Sequence, residues 1–287
     1  MPSEKRLRQD EGRLARLEEQ RLAQRRSQRN KNLRNLVFLL IALVVAAGAI
    51  SLLSGDDKKE EVATDGSSTT VAEDGSSTTA ADGEPAEVVL PEPGASITGE
   101  TPCPAADGSA ERTTAFEQAP PMCIDTAKTY TATIQTTEGD IVIELDDTAA
   151  PQTVNNFVVL SRYHYYDGVA FHRIIPGFMD QAGDPVGPTP GQGGPGYTIP
   201  DELPTGDAPY PTGTLAMANT GQPGSGGGQW FITVEGGGEQ LTPTYSVFGH
   251  VTEGQDVVDA INQHGDAATN GTPTKIVTIT TITITEA

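Results

Sequence analysis

From Thr129 onward the chain alternates apolar and polar side chains. Tyr130, Ala132 and Ile134 are separated by polar residues, and Ile141, Ile143 and Leu145 repeat the pattern beyond Glu138-Gly139-Asp140. Period-2 alternation on both sides of a turn predicts a hairpin with one buried face. Pro151 can open a helix, since Val154, Phe157, Val158 and Leu160 follow at helical spacing, with Thr148 expected as its cap. Short strands separated by Gly/Pro loops are expected up to Val251. A second helix is expected over 254–264, with Val257, Val258 and Ile261 on its inner face. The tail 276–285 alternates Ile/Val with Thr, and the parity of its apolar positions flips at Thr280-Thr281, which predicts a bulge in a final strand. Many short strands and two helices in so short a stretch predict a mainly β fold, a closed antiparallel barrel.

The pattern upstream is different. Residues 36–55 form a run of 20 residues without a charge, long enough as a helix to span a ~30 Å hydrocarbon core. Arg25, Arg26, Arg29, Lys31 and Arg34 precede the run, and Asp56 and Asp57 follow it. The positive-inside rule then predicts a single transmembrane helix with residues 1–35 cytoplasmic and the body outside. Ala47-Gly48-Ala49 resembles a cleavage site, so secretion after signal cleavage is the alternative. Residues 1–35 are Arg-, Glu-, Leu- and Gln-rich, which favours a charged helical segment. Residues 56–100 contain almost no large apolar side chain and carry a near-repeat, VATDGSSTT then VAEDGSSTT. Such composition buries too little to offset ordering entropy and predicts a flexible acidic linker. A Cys-containing lead-in, 101–127, leads to the compact domain, 128–287.

Charge divides the chain in the same place. Residues 1–35 hold 11 Lys/Arg against 5 Asp/Glu, whereas the whole chain has a formal charge of −21. The remainder keeps only 7 Lys/Arg against 34 Asp/Glu, too few to neutralise phosphates, so no nucleic-acid partner is expected. Cys103 and Cys123 are the only cysteines, and in an oxidising compartment they are expected to pair as a disulfide.

Several kinds of chemistry have no candidates. The Gly-rich segment 221–228 lacks the Lys-Ser/Thr pair of a phosphate-binding loop, the four histidines lack metal-ligand spacing, and no Gly-x-Ser-x-Gly elbow is present. No metal or cofactor is therefore expected, and His172 is read as structural. What stands out is 171–185, FHRIIPGFMDQAGDP, which sets Arg173 among large apolar residues with Gln181 eight positions on. A guanidinium in apolar surroundings costs free energy unless it is paired or used.

FHRIIPGFMDQAGDP, GTLAMANTGQPGSGGGQWFI and YSVFGHV, in that order, resemble the cyclophilin family of peptidyl-prolyl cis–trans isomerases over 128–287. The anchored layout resembles bacterial, especially actinobacterial, membrane-bound members. The resemblance implies an eight-stranded antiparallel barrel closed by two helices, with a proline pocket on the outer wall. It implies Arg173 as the catalytic arginine and Gln181 as its hydrogen-bonding neighbour. Phe178, Met179 and Phe231 would line the proline slot, Ala218, Asn219 and Gln229 would flank the substrate backbone, and Leu241 matches the pocket leucine. Tyr245 occupies a site that is often His in the family. Gln240 stands where many eukaryotic members carry tryptophan, which implies weak inhibition by cyclosporin, and Trp230 should point to the face opposite Phe231. The activity implied is rotation of X–Pro bonds in extracytoplasmic polypeptides, assisting their folding. The alternative is a non-catalytic module that holds Pro-containing partners in the cell envelope.

Overall fold

Residues 87–187, 189–206 and 210–287 are described by the computed structural model. The strands in chain order are β1 (Ala95–Ile97), β2 (Thr113–Phe116), β3 (Tyr130–Thr136), β4 (Gly139–Leu145), β5 (Arg173–Ile175) and β6 (Met179–Ala182). They continue as β7 (Thr214–Met217), β8 (Trp230–Thr233), β9 (Val247–Glu253), β10 (Gly265–Asp266), β11 (Thr272–Pro273) and β12 (Ile279–Glu286). Two α-helices interrupt them, α1 (Pro151–Arg162) and α2 (Gln255–Asn262).

Eight strands form one antiparallel sheet in the order β12-β3-β4-β9-β7-β8-β6-β5. The first hairpin buries the residues its alternation marked: Tyr130, Ala132, Ile134, Ile141, Ile143 and Leu145 all lie in the core. On β12 the register shifts between Ile279 and Thr281 against β3, so Thr280 is the extra residue where the parity flips.

The sheet curls but is not a continuously hydrogen-bonded barrel, which corrects the closed ladder expected from the pattern. β5 and β12 are not paired with each other. The seam is instead spanned by the segments leading into them, through the Ala170–Thr278 bridge and the bond from Phe171 N–H to the Val277 carbonyl (3.0 Å). The reason lies at β5. This strand has only three residues before Pro176, and its outer edge is taken by the 265–273 excursion, where Ile174 N–H donates to the Gly271 carbonyl (2.8 Å).

Pro151 is the first residue of α1, as its fixed φ favours. The expected Thr148 cap is not made. Ala150 is the N-cap, and the open N–H groups of Gln152 and Thr153 donate to the Glu202 carboxylate at 3.0 and 2.8 Å. A carboxylate at a helix N-terminus satisfies the orphan donors and the dipole together, and this one comes from a distant loop. α2 begins after Gly254 in the left-handed conformation, where a Cβ would lie 2.3 Å from the Asp140 carbonyl oxygen. Val258 and Ile261 are buried, and Val257 packs against the core.

Ahead of the sheet, β1 and β2 pair in parallel, and Cys103 is bonded to Cys123 with Cα atoms 5.5 Å apart. Composition places residues 95–97 in the linker, yet they pair through the backbone with 113–116, which composition does not register. The segments expected to be cytoplasmic (1–35) and membrane-spanning (36–55), with the repeat-bearing part of the linker, lie outside the described residues. Among the described residues no helix is long and apolar enough to cross a membrane.

Candidate active site

Strands β7 and β8 are buried on both faces and β6 nearly so, and period-2 geometry sends alternate residues to different places. Ala182, Leu215, Met217, Trp230 and Ile232 enter the main core, where Trp230 packs edge-on against Phe157, Tyr166 and Phe171. Met179, Ala216 and Phe231 point the other way and form a second, smaller cluster with Tyr210. Phe178, Ala218, Leu241 and Tyr245 pack against that second cluster from the rim. Register then sets a row across the outer face, because Arg173 is paired with Gln181, Gln181 with Phe231, and Phe231 with Ala216.

A small recess of about 90 Å³ lies on this row. Its walls include Phe178, Met179, Phe231 and Leu241, with Arg173 and Gln181 at one side and Ala218, Asn219 and Tyr245 completing it. It is apolar at the base and polar along one edge.

Polar contacts fix that edge in sequence. Arg173 donates through Nη1 to Gln181 Oε1 (3.4 Å) and through Nε to the Asn270 carbonyl (3.4 Å). Gln181 Nε2 donates to Gln229 Oε1 (3.0 Å), and Gln229 Nε2 donates to the carbonyls of Gly191 (3.1 Å) and Gly193 (2.9 Å). These contacts use two of the five guanidinium N–H donors and leave three without a protein acceptor, beside the recess that Arg173 lines. Burial lowers the Arg173 pKa, while nearby Tyr245 opposes the shift. Arginine stays charged regardless, given its very high intrinsic pKa.

The loop that supplies Gly191 and Gly193 is itself folded over a buried carboxylate. Asp184 accepts from Gly193 N–H (2.8 Å) and from Val186 N–H (3.1 Å). His172 lies beside this loop, and burial depresses its pKa to about 4, so it is neutral at pH 7. On the opposite rim, Tyr245 meets Phe231 edge-on with ring centroids 5.3 Å apart. The Tyr210 hydroxyl accepts from Tyr245 N–H (3.0 Å) and donates to the Tyr245 carbonyl (3.0 Å), clamping its backbone. Asn219 Nδ2 donates to the Thr244 carbonyl (2.8 Å), which ties β7's end to the same rim.

Nine of the ten candidate residues read from the sequence line this recess, and Gln229, the tenth, holds Gln181 from behind. Sequence reasoning missed Tyr210 and Asn270. Neither lies in a marked motif: Tyr210 sits in a Pro-Tyr-Pro loop and acts through its hydroxyl, and Asn270 contributes only a carbonyl. Among the described residues no group of three His, Cys, Asp or Glu is placed to hold a metal ion.

Residues 131–284 match the family model described as cyclophilin type peptidyl-prolyl cis-trans isomerase/CLD. Peptidyl-prolyl cis-trans isomerase A of Mycobacterium tuberculosis is 45% identical over 178 residues, which cover 54% of this chain and 92% of that relative. The probable peptidyl-prolyl cis-trans isomerase A of Mycobacterium leprae is 44% identical over 176 residues, covering 54% and 91%. Among solved structures, a cyclophilin type peptidyl-prolyl cis-trans isomerase of Cryptosporidium parvum is similar with a TM-score of 0.49 at 32% identity, over 55% of this chain and 98% of that one. The match to the family model and the identity with the mycobacterial enzymes place this chain in the cyclophilin-type peptidyl-prolyl cis-trans isomerase family.

Proposed function

We propose that Arg173 is the catalytic residue of this isomerase, that the recess holds the proline ring, and that the substrates are proline-containing polypeptides outside the cytoplasm. The observation that carries the residue roles is the row Arg173-Gln181-Phe231, a fixed guanidinium directly beside an apolar slot of single-ring size.

Amide resonance sets the barrier to rotation, so an uncatalysed X–Pro bond isomerises over tens to hundreds of seconds. Resonance is lost in the twisted transition state, and the prolyl nitrogen becomes pyramidal and basic. A guanidinium aimed at that nitrogen and at the proline carbonyl stabilises the twisted form more than either planar form. Phe178, Met179 and Phe231 grip the ring while the acyl side swings, with Ala218 and Asn219 alongside the substrate backbone. Gln181 and Gln229 keep the guanidinium from swinging into solvent. Neither a nucleophile nor proton transfer is required.

The compartment is part of the same proposal. The uncharged run 36–55 with its basic cytoplasmic flank would anchor the chain, and the Cys103–Cys123 bond suits an oxidising exterior. One peptide assay tests the residue roles: cis-to-trans conversion of an Ala-Pro peptide by the wild-type chain, with Arg173→Ala as the comparison. Equal rates would overturn the assignment. Protease accessibility of the domain in whole cells against spheroplasts tests the topology, and a domain protected in both would overturn it.

A further inference from the structure

Beside the proline recess runs a larger cleft of about 420 Å³ that shares Gln181, Ala218 and Asn219 with it. Its far wall is the segment through Pro195, Tyr197 and Thr198. On one side this wall meets the 226–227 backbone that leads into β8. On the other it leans on the lead-in, which precedes the family-matched residues 131–284.

The contact is close and mostly backbone. Phe116 N–H donates to the Pro195 carbonyl at 2.8 Å. The next residue, Gly196, has a φ of +108°, and a Cβ there would fall 2.3 Å from the Phe116 carbonyl oxygen, so the two segments touch with no room for a side chain. The Phe116 ring lies 6.2 Å from the Tyr197 ring and 5.4 Å from the Tyr163 ring, both edge-on. Tyr197 in turn donates to Asn156 Oδ1 (2.7 Å), and Asn156 Nδ2 donates to the carbonyl of Gly227 (2.7 Å), which also lines the cleft.

The lead-in is fastened independently of that wall. Phe116 lies inside the loop closed by Cys103 and Cys123. Cys123 N–H and Ile124 N–H both donate to Asn155 Oδ1 on α1 (2.6 and 3.2 Å), and Asn155 Nδ2 donates to the Pro121 carbonyl (2.9 Å). Tyr163, just beyond α1, donates to the Pro102 carbonyl (2.9 Å). Disulfide, α1 and Phe116 therefore form one continuous support, and its far end is the cleft wall.

We infer that the disulfide-closed lead-in, acting through Phe116, positions the 195–198 wall and thereby sets which residues flanking the proline the enzyme accepts. Phe116 is a positioning residue that touches no substrate, and the inference rests on the recess being the proline slot. A substrate with its proline seated in the recess must run its neighbouring residues past Ala218 and Asn219 into this cleft. The width of the cleft then discriminates among side chains, while the chemistry stays at Arg173.

The test uses the full-length chain and peptides sharing an Ala-Pro core, with either small or bulky residues flanking it. Phe116→Ala is expected to change the ratio of kcat/KM between bulky and small peptides by about threefold to tenfold, the change lying in KM. kcat on the small peptide stays within about twofold, because Arg173 and the recess are untouched. Phe116→Tyr keeps the wild-type ratio, and reduction of the wild-type disulfide by dithiothreitol shifts the ratio in the same direction as Phe116→Ala. Emission from Trp230, the only tryptophan and fully buried, reports whether the core survives each change. If Phe116→Ala loses that signal, the reduced wild-type chain decides. An unchanged ratio, or an equal loss on every peptide, in an otherwise active chain overturns the inference alone. A wild-type chain inactive on all peptides overturns the slot reading with it.

Discussion

Arg173 and Gln181 are directly opposed on β5 and β6, and the guanidinium Nη1 lies 3.4 Å from Gln181 Oε1. That pairing places Arg173 by sheet register instead of by a loop. A register-fixed side chain has little freedom to lose when substrate binds, which favours electrostatic stabilisation of a twisted amide.

Removing the guanidinium should remove the stabilisation and little else. Arg173→Ala is expected to lower kcat/KM by about 10²- to 10³-fold, the usual effect of deleting one preorganised donor. Arg173→Lys keeps the charge without the planar fork that reaches both Gln181 and the recess, so its loss should fall between wild type and alanine. Thermal unfolding of both variants followed by circular dichroism should stay near wild type, since Arg173 lies outside both apolar clusters. A large fall in stability parallel to the loss of activity would point to a structural arginine instead.

Gln181 and Gln229 should behave as one unit. Gln229 is anchored on the Gly191 and Gly193 carbonyls and reaches Arg173 only through Gln181. Each alanine variant is expected to lower kcat/KM roughly 10- to 100-fold by freeing the guanidinium. The double variant should lose little more than the worse single one, because groups in one network are not additive. Strictly multiplicative losses in a double-mutant cycle would show that the two glutamines act separately.

How far the sequence discloses this arrangement depends on the range of the interaction. The separation of Trp230 from Phe231 follows from strand parity alone, and the fold bears it out, with Trp230 in the main core and Phe231 in the recess. The bulge at Thr280 is likewise written in the parity of Ile279 and Ile282. Interactions made through backbone or across long separations leave no such mark. Asn270 acts by its carbonyl, which any residue would provide. The α1 cap comes from Glu202, about 50 residues past the helix start, while the nearby Thr148 plays no part in it. β1 lies in a stretch of low-hydrophobicity composition and is held by its pairing with β2 and by Ile97 against the core. Periodicity reports a side chain's face, and these residues are placed by their partners.

The Glu202 cap has a measurable consequence. Its carboxylate receives three bonds, from Gln152 N–H, Thr153 N–H and the Thr153 hydroxyl, at 2.8–3.0 Å. Charge-assisted bonds to otherwise open helix donors are worth about 1.5–3 kcal/mol each in favourable settings, and a cap as a whole about 1 kcal/mol. Glu202→Ala should therefore lower unfolding free energy by about 1–3 kcal/mol in urea, with Glu202→Gln milder because one acceptor survives. A change below about 0.5 kcal/mol would mean that solvent replaces the carboxylate freely.

The last prediction concerns Asp180, which points inward from β6 between Met179 and Gln181 and is completely buried. Its Oδ1 accepts from Asn262 Nδ2 of α2 (2.7 Å), while Oδ2 has no partner. Burial raises its pKa from 3.8 to about 7, against the Asn262 bond and with help from Asp259. A folded pKa above the unfolded one gives stability that is fully present below about pH 4 and is lost as pH rises through about 7. His172 runs the other way. Its pKa is depressed to about 4, so its contribution is present above pH 6.5 and is lost as pH falls through about 4. Asp180→Asn keeps the acceptor for Asn262 and removes only the Asp180 titration. Relative to wild type, the variant should gain stability between pH 5 and pH 8, by on the order of 1–3 kcal/mol in urea unfolding. The His172 contribution is common to both proteins and cancels in the difference, provided the two sites do not interact. The same difference in stability at pH 5 and pH 8 would show that Asp180 is ionised in the fold at both, with its second oxygen reached by water.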